Sequence, residues 1–500
     1  MNEDRDKAAD QKNEVATEKV KVVFTPSGRH GLVPIGTPIL SAARQLGVDI
    51  DSVCGGRAMC GRCQIEIAVG DFAKHGLKSN HDHLAAITPV EMRYAENRGL
   101  IDGRRLSCQA KLLGNVVIDV PPESQVHNQL VRKEADDRTI EMDPIVRLCF
   151  VEVREPDMHE SSGDLRRLIE AVTAQWPDRV TGEVECDINV LRKLQRVLRQ
   201  GKWHVTVALR DGHQIIAVWP GLKEQVAGVA IDVGSTTMSA HLCDMATGDV
   251  LASTGAMNPQ IRFGEDLMSR VSYGIMNPGG ANEMSKAVIA GLQNLIDGAA
   301  KQAGLTSDDI VELVLVGNPV MHHLLLGIDP VELGGAPFAL AVDEALDVRA
   351  SEVGVAINPG ARVYILPCIA GHVGADAAAV VLAESPQKAN EMTLIVDVGT
   401  NAEIVVGNKE RLLAASSPTG PAFEGAQISS GQRAAPGAIE RIRIDKNTLK
   451  PKFRVIGVDL WSDEDGFDAA IEKTGVTGIC GSGIIEALGE MYLAGVITID

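Results

Sequence analysis

The chain has 500 residues, of which 45% are hydrophobic, 23% are charged and only 3% are aromatic, and its net charge is −19. The acidic balance leaves no basic stripe to neutralise phosphates, and the scarcity of aromatic rings leaves no platform for stacked bases, so the composition argues against a nucleic-acid partner. The longest apolar runs are far shorter than a membrane span, and the length suits about three globular domains. We therefore expect a soluble, cytoplasmic protein with no membrane partner.

The first quarter of the chain carries the pattern of a small mixed domain. Residues 1–18 are charged and poor in apolar side chains, and we interpret them as a disordered tail. A predicted strand, its hairpin partner, a helix and two further strands then follow in order at 19–24, 31–34, 38–46, 64–69 and 115–120. The order strand, strand, helix, loop, strand is typical of a β-grasp domain, which we assign to residues 19–121.

Four cysteines in this region are spaced as ligands of an inorganic cluster: Cys54, Cys60, Cys63 and Cys108. Three thiolates from one tight loop and a fourth from a distant strand hold the [2Fe–2S] cluster of plant-type ferredoxins, and the first gap here is a variant of that spacing. Structural zinc usually takes two close cysteine pairs, and the odd total of nine cysteines disfavours a disulfide set. The stretch 19–121 is similar throughout to the [2Fe–2S] ferredoxin family. The remaining cysteines are scattered singly and are interpreted as small buried hydrophobes: Cys149, Cys186, Cys243, Cys368 and Cys480.

A polar stretch, residues 122–144, lacks periodicity, and we interpret it as a linker that lets a cluster domain move between an electron donor and an acceptor. Residues 145–225 then predict a small α/β domain. Its β-like runs lie at 147–153, 204–209 and 214–219, and its helical runs lie at 162–175 and 190–199. No catalytic constellation is evident in this domain.

An internal repeat occupies the second half of the chain. An apolar strand, an Asp-x-Gly turn and a second apolar strand occur at 229–241 and again at 394–406. Two such hairpins can clamp a polyphosphate, because glycine lets backbone N–H groups approach, hydroxyls donate to oxygens, and each Asp can bind Mg²⁺ or its waters. One copy alone would be weak evidence, because Asp-x-Gly-Thr is also a common hairpin turn. The repeat predicts a nucleotide site with Asp232 and Asp397 as catalytic residues and the following residues against the nucleotide: Gly234, Ser235, Thr236, Thr237, Gly399, Thr400, Asn401 and Glu403.

This pair of hairpins resembles the two phosphate motifs of the ASKHA superfamily, which holds acetate and sugar kinases, Hsp70 and actin. A third segment, 477–489, is a Gly-rich turn that opens a helix, and it is similar to the adenosine motif of that superfamily. The resemblance implies that four of its residues lie against the adenosine: Gly478, Gly481, Ser482 and Gly483. The alternative is a purely structural role, in which the segment is an ordinary helix N-terminus with Ser482 as its cap. We assign the ASKHA ATP-binding domain to residues 226–500.

The whole chain, a ferredoxin followed by an ASKHA domain, resembles the reductive activators of corrinoid proteins. Three further segments look like that family: 317–327, 366–376 and 418–431. The resemblance implies ATP, Mg²⁺ and a [2Fe–2S] cluster as cofactors, and ATP-dependent return of a Co(II) corrinoid to Co(I). It also implies a corrinoid protein as electron acceptor and an unidentified reductase or low-potential electron donor, and it allows a homodimer. Family members usually carry a further stretch after the adenosine motif, so we expect the ASKHA domain here to lack its last segment.

Two other classes of function stay open. The ASKHA part could be a small-molecule kinase or an ATP-dependent hydrolase with the ferredoxin as a redox sensor. Alternatively, the protein could be an electron carrier with a degenerate ATP site. Phosphoryl transfer to a metabolite would favour the first class, and absence of hydrolysis would favour the second.

Several polar residues in the matched segments have two interpretations. His322 and His323 point about 100° apart on a helix, which favours core packing or partner contact over a metal site. His372 could touch phosphate or fill a turn. Asp376 could complement a helix dipole or face Mg²⁺. Arg262 or Asp266 could close on the nucleotide or form a surface salt bridge.

Overall fold

The computed structural model describes residues 18–25, 27–48, 50–52, 56, 58, 60–121, 124, 141–264, 266–399, 401–419, 430–432, 434–472 and 474–498. The expected tail and most of the expected linker lie outside these residues. The chain divides into two compact units, one comprising Met1–Asn128 with Pro421–Asp500 and the other comprising Gln129–Gly420. Among the described residues, no helix has the length and apolar character needed to cross a membrane.

The N-terminal elements form a β-grasp domain. They are β1 (Lys19–Thr25), β2 (His30–Pro34), α1 (Ile39–Gln45), β3 (Gln64–Ala68), β4 (Gly70–Phe72), β5 (Leu77–Ser79), α2 (Pro89–Arg98), β6 (Arg105–Leu106) and β7 (Val116–Asp119). The main sheet has the order β2-β1-β7-β3-β6, with β1 parallel to β7. Alternate residues of β1, such as Val22 and Phe24, are buried against Ile39 of α1. All five predicted elements are confirmed, whereas α2 and the short strands β4, β5 and β6 were not predicted.

The small α/β domain is also confirmed. Its elements are β8 (Val146–Glu152), α3 (Asp164–Gln175), β9 (Glu185–Cys186), α4 (Ile188–Gln200), β10 (His204–Arg210) and β11 (Gln214–Pro220). The sheet order is β8-β10-β11-β9. One apolar face of each helix, including Leu168 of α3 and Leu194 of α4, packs with Val207 in a single core. The short strand β9, which precedes α4, was not predicted.

The next elements build a six-stranded sheet with helices. They are β12 (Ala227–Val233), β13 (Thr237–Asp244), β14 (Val250–Met257), α5 (Leu267–Met276), α6 (Gly280–Gln302), β15 (Ile310–Gly317), α7 (Pro319–Leu325), β16 (Leu346–Arg349), β17 (Arg362–Ile365) and α8 (Ala375–Glu384). The order is β14-β13-β12-β15-β17-β16, and β12, β15 and β17 are parallel. Their carboxyl ends therefore share one edge of the sheet, where α/β proteins commonly bind ligands.

Two smaller sheets complete the described chain. One has the order β18-β19-β20 and consists of β18 (Thr393–Val398), β19 (Asn401–Gly407) and β20 (Leu412–Pro418). The other has the order β22-β21-β23, and its region contains β21 (Ala438–Ile444), β22 (Pro451–Val455), α9 (Phe467–Ala470), β23 (Gly478–Ile479) and α10 (Gly481–Leu493). The two predicted repeat hairpins are confirmed as β12–β13 and β18–β19.

Candidate iron-sulfur and nucleotide sites

Three of the four predicted cluster ligands lie together in the β-grasp domain. Cys63 comes directly before β3 and Cys108 closely follows β6, and these two strands pair antiparallel. The Ser107 backbone N–H donates to the Cys63 carbonyl at 2.9 Å, which holds the two ligand segments side by side. Cys60 and Cys108 are half-buried and Cys63 is buried. The fourth predicted ligand, Cys54, lies outside the described residues.

The thiols of this group influence one another. A hydrogen bond with Cys108, then burial and the charges of Cys108 and Cys60, raise the pKa of Cys63 well above its usual value. Crowded thiolates of this kind are stabilised by a cationic metal centre, so the donor set fits an iron–sulfur cluster. Among the described residues, no three His, Cys, Asp or Glu side chains are arranged to hold a single metal ion. Completing the predicted set requires Cys54.

A side-chain amide connects the ligand loop to the distant ligand. Gln109 Nε2 donates to the Gly56 carbonyl at 3.1 Å and lies 3.7 Å from Cys108 Sγ. An N–H group aimed at a ligand sulfur is a common means of tuning a cluster. The sequence analysis did not single out this residue.

The cysteines outside the cluster group behave largely as predicted. Cys149, Cys368 and Cys480 are buried, whereas Cys186 and Cys243 are half-buried. Burial raises the pKa of Cys368 to about 11, and burial followed by the Asp187 charge raises the pKa of Cys186 to about 12. These thiols are therefore protonated at neutral pH and poor nucleophiles.

The turn of the first repeat hairpin is held by side chains from other elements. Asn258 Nδ2 donates to the Gly234 carbonyl at 2.8 Å, and the Asn258 backbone N–H donates to the Thr236 carbonyl at 2.8 Å. Asn318 Nδ2 donates to the Ser235 hydroxyl at 3.1 Å. The guanidinium of Arg270, which is fully buried, donates to the Ser235 carbonyl. The turn is thus preorganised, which is what a phosphate cradle requires.

Glycine is necessary in this turn for a steric reason. A Cβ atom at Gly234 would lie 2.6 Å from the Thr237 carbonyl oxygen, closer than real Cβ contacts allow. The missing side chain therefore lets the two strands of the hairpin close tightly.

The first hairpin turn is supported by residues that the sequence analysis did not single out. Asp266 accepts a hydrogen bond from the Ser269 backbone N–H at 2.7 Å and so caps α5, and Arg262 lies over the Phe263 ring at 4.6 Å. Among the described residues, no observed contact joins either side chain to the hairpin turn. The residues that do contact the turn, Asn258 and Arg270, lie on either side of them. Asn258 could have been found from the sequence, because it caps a short helical turn and an Asn before Pro is a recognisable cap. Arg270 could not, because no sequence pattern marks a buried arginine inside a helix.

The second repeat hairpin carries two carboxylates opposite each other. Asp397 of β18 is the register partner of Glu403 of β19. The Gly399 backbone N–H donates to the Asn401 carbonyl at 2.8 Å, and the Thr419 hydroxyl donates to the Gly399 carbonyl at 2.8 Å. Thr400 lies outside the described residues.

Four carboxylates from the two hairpins and α8 interact electrostatically: Asp232, Asp376, Asp397 and Glu403. Burial, then the charges of Asp232 and Asp397, raise the pKa of Asp376 to about 6. Burial, then the charges of Asp376 and Asp397, raise the pKa of Glu403 to about 7. Like charges that interact in this way would be relieved by a nearby divalent cation, although among the described residues no three of these carboxylates are arranged to hold one ion directly. Asp376, which the sequence left undecided between a helix dipole and Mg²⁺, belongs to this set.

Close backbone packing brings Asp376 to this edge of the sheet. A Cβ at Gly374, the residue before α8, would lie 2.5 Å from the Asn318 Cα. Asn318 caps α7 and also holds Ser235, so the start of α8 and the first hairpin share a support. The segments 317–327 and 366–376 of the family resemblance therefore meet at the end of β15.

The predicted adenosine motif forms the start of α10. Its cap is Cys480, and Ser482 lies inside the first turn with its hydroxyl 3.2 Å from Cys480 Sγ, so the alternative reading of Ser482 as the cap is wrong. A Cβ at Gly483 would lie 2.4 Å from the Ile439 carbonyl oxygen, and one at Gly478 would lie 2.6 Å from the Ser430 carbonyl oxygen. These two glycines are thus required by backbone packing. A role of the motif, including Gly481, in binding adenosine stays a prediction.

The histidines of the matched segments lie in the core or against a ring. His322 and His323 are both 1% exposed. His323 contacts the Pro319 carbonyl and accepts from the Ala341 N–H, both at 2.9 Å. Burial, then the neighbouring His323, lower the pKa of His322 to about 4. His372 packs edge-on against Phe338 at 4.3 Å.

Known protein families match most of the chain. Family models match at residues 24–113 (2Fe-2S iron-sulfur cluster binding domain), 135–225 (RACo linker region), 227–389 (RACo middle region) and 391–500 (C-terminal domain of RACo, the ASKHA domain). The solved structure of a reductive activator for a corrinoid, iron-sulfur protein is 31% identical, has a TM-score of 0.61, and is matched over 96% of this chain and 73% of its own length. The corrinoid activation enzyme RamQ of Eubacterium limosum is 29% identical over 457 residues, which are 90% of this chain and 67% of RamQ. The [Co(II) methylated amine-specific corrinoid protein] reductase of Methanosarcina barkeri is 25% identical over 54% of this chain and 51% of its own length.

Fold and site together define an iron–sulfur protein in which a β-grasp [2Fe–2S] domain is fused to an ASKHA domain. The solved structure of a reductive activator matches this chain over 96% of its length, and the family models of that group follow one another along the chain in order. The chain belongs to the family of reductive activators of corrinoid proteins. The resemblance that the motifs indicated is confirmed.

Proposed function

We propose that this protein uses ATP to drive the one-electron reduction of a Co(II) corrinoid, bound to a partner protein, to Co(I). The observation that carries the proposal is the presence in one chain of grouped cluster thiols and of two Asp-x-Gly hairpins whose carboxylates share an electrostatic environment. The names of the relatives support the corrinoid partner. The electron would come from an unidentified low-potential donor.

The energetic role of ATP follows from the relative potentials. A plant-type cluster has a potential near about −400 mV. A Co(II)/Co(I) corrinoid couple generally lies lower, so unassisted transfer runs uphill. Each 100 mV of deficit costs about 2.3 kcal/mol for one electron, which lies within the usual range of coupling between two binding sites. Nucleotide binding and hydrolysis would supply this free energy by favouring one conformation of the complex with the corrinoid protein.

Different residues of the chain would bind the cluster, Mg²⁺ and the phosphates. A [2Fe–2S] cluster on Cys54, Cys60, Cys63 and Cys108 would take up and release one electron at a time. Asp232 and Asp397 would hold Mg²⁺ or its waters, with Asp376 completing the acidic set. The first hairpin turn would bind phosphate oxygens through its backbone N–H groups and hydroxyls.

Glu403 has a further role in this proposal. It is the register partner of Asp397 in the second hairpin, so it would border the phosphates and Mg²⁺ together with that aspartate. The glycines and Ser482 of the adenosine motif would contact the adenosine.

The decisive experiment measures ATP turnover with and without a purified corrinoid protein, while cobalt reduction is followed by absorption. We expect Co(I) to form only when ATP, Mg²⁺ and a reductant are all present. We also expect the corrinoid protein to stimulate hydrolysis. Phosphoryl transfer to a metabolite would instead favour a kinase, and Co(I) formation at the full rate without ATP would contradict the proposed role of the ASKHA domain.

A further inference from the structure

A tyrosine side chain from α2 lies against the cluster loop. A Cβ atom at Gly61 would lie 1.7 Å from Tyr94 Oη and 2.3 Å from Tyr94 Cζ. The phenol therefore occupies the place that a side chain at Gly61 would take. Gly61 lies between two predicted ligands, Cys60 and Cys63, and its φ of +65° independently favours glycine. The loop and the tyrosine are thus fitted to each other.

The helix that carries Tyr94 is fixed in position by a buried ion pair. Thr88 caps α2 and forms a capping box with Glu91. Glu91, whose exposure is 0%, accepts two hydrogen bonds from Arg105 at 3.0 and 2.9 Å and one from the Leu106 backbone N–H at 3.1 Å. Arg105 and Leu106 form β6, the strand that leads to Cys108.

The phenol is half-buried and packed against the β-grasp core. None of the hydrogen bonds among the described residues uses its hydroxyl as a donor. A tyrosine hydroxyl carries one donor hydrogen, and this one lies beside Gly61, in the loop that contains Cys60 and Cys63.

We propose that the Tyr94 hydroxyl donates a hydrogen bond to a cysteine sulfur of the cluster and so sets its reduction potential. Reduction adds negative charge to the cluster, and a donor to sulfur stabilises the reduced form more than the oxidised form. Tyr94 is a positioning and tuning residue in this account. The inference rests on the proposed cluster of the preceding subsection but not on the ATP site.

The test is a redox titration of the purified full-length protein, Tyr94→Phe against wild type, monitored by EPR without ATP or corrinoid protein. We expect the variant to keep its iron content and to have a more negative potential. A tenfold change in the reduction equilibrium corresponds to 59 mV for one electron. Tyr364→Phe, an exposed tyrosine of β17 in the other compact unit, is the control and should leave the potential unchanged.

A second measurement does not depend on the stability of the variant. Electron–nuclear double resonance of the reduced wild-type cluster in H₂O and D₂O should show an exchangeable proton coupling that Tyr94→Phe lacks. An unchanged potential, a potential that rises, or identical proton couplings in both proteins would overturn the proposal. These outcomes leave ATP-dependent corrinoid reduction untouched, because neither measurement involves nucleotide or cobalt.

Discussion

Arg210, the last residue of β10, makes two parallel hydrogen bonds to the carboxylate of Glu312 on β15, at 3.0 and 3.2 Å. The two side chains are only 5% and 6% exposed. Arg210 also pairs with Asp347 of β16 at 2.8 Å. Because Arg210 belongs to the small α/β domain and the two acids belong to the six-stranded sheet, this network joins the two parts of one compact unit.

Removal of one partner from this pair should destabilise the protein strongly. Glu312→Ala leaves a buried guanidinium with only Asp347, and we expect a loss of about 3–5 kcal/mol in the free energy of unfolding. Urea unfolding followed by circular dichroism measures it. Glu344→Ala, an exposed glutamate in the loop before β16, should change stability little. The apolar double variant Arg210→Met with Glu312→Leu should lose less than the single variant, and an equal or larger loss would show that the network is not the cause.

Substitution of the cluster cysteines should remove the cluster. Cys60→Ser, Cys63→Ser or Cys108→Ser should lower bound iron and bleach the visible spectrum, because serine is a harder and poorer ligand for iron–sulfur centres. Cys54→Ser should do the same if the predicted set is correct. Cys243→Ser, a half-buried cysteine of β13, is the control and should keep full iron content. Stoichiometric zinc without iron in anaerobically purified protein would refute the assignment.

The hairpin aspartates should be needed for ATP hydrolysis. Asp232→Asn and Asp397→Asn keep the size of the side chain but remove the charge that is proposed to hold Mg²⁺, so turnover should fall roughly 100-fold or more while the cluster spectrum is unchanged. Asp178→Asn, an exposed aspartate of the small α/β domain, should hydrolyse ATP at the native rate. Native turnover in both hairpin variants would mean that the paired hairpins do not form the nucleotide site.

Glu403 should make stability depend on pH. Its pKa rises from 4.5 to about 7 in the folded protein, chiefly through burial and then through Asp376 and Asp397. Its stabilising contribution is therefore complete below the unfolded pKa and is lost as the pH rises through about 7. The Tm of wild type should fall between about pH 5 and about pH 8, and Glu403→Gln should flatten this dependence, whereas the exposed Glu410→Gln should not. Mg²⁺ should restore the Tm at the higher pH, and a Tm that rises over this range in wild type would contradict the assignment.

Much of the fold was predictable because the local patterns agree with the tertiary structure. The alternation in β1, the Asp-x-Gly repeat of the two hairpins and the apolar faces of α3 and α4 are each set by short-range periodicity. Helix α2 was missed although its signals are present, since Thr88, Pro89 and Glu91 form a standard helix start. The helix was missed because its residues are mostly exposed and therefore show little apolar periodicity.

Sequence by itself determined the Asp-x-Gly hairpins and the family, and it predicted the ligand cysteines, because each depends on residue types in a recognisable pattern along the chain. Only the tertiary structure decided which side chains support those motifs. Arg270 reaches Ser235 from α5, Asn318 reaches the same residue from the end of β15, and Tyr94 meets Gly61 from α2. Contacts between residues far apart in the chain are set by how whole elements pack, and no local spacing encodes them.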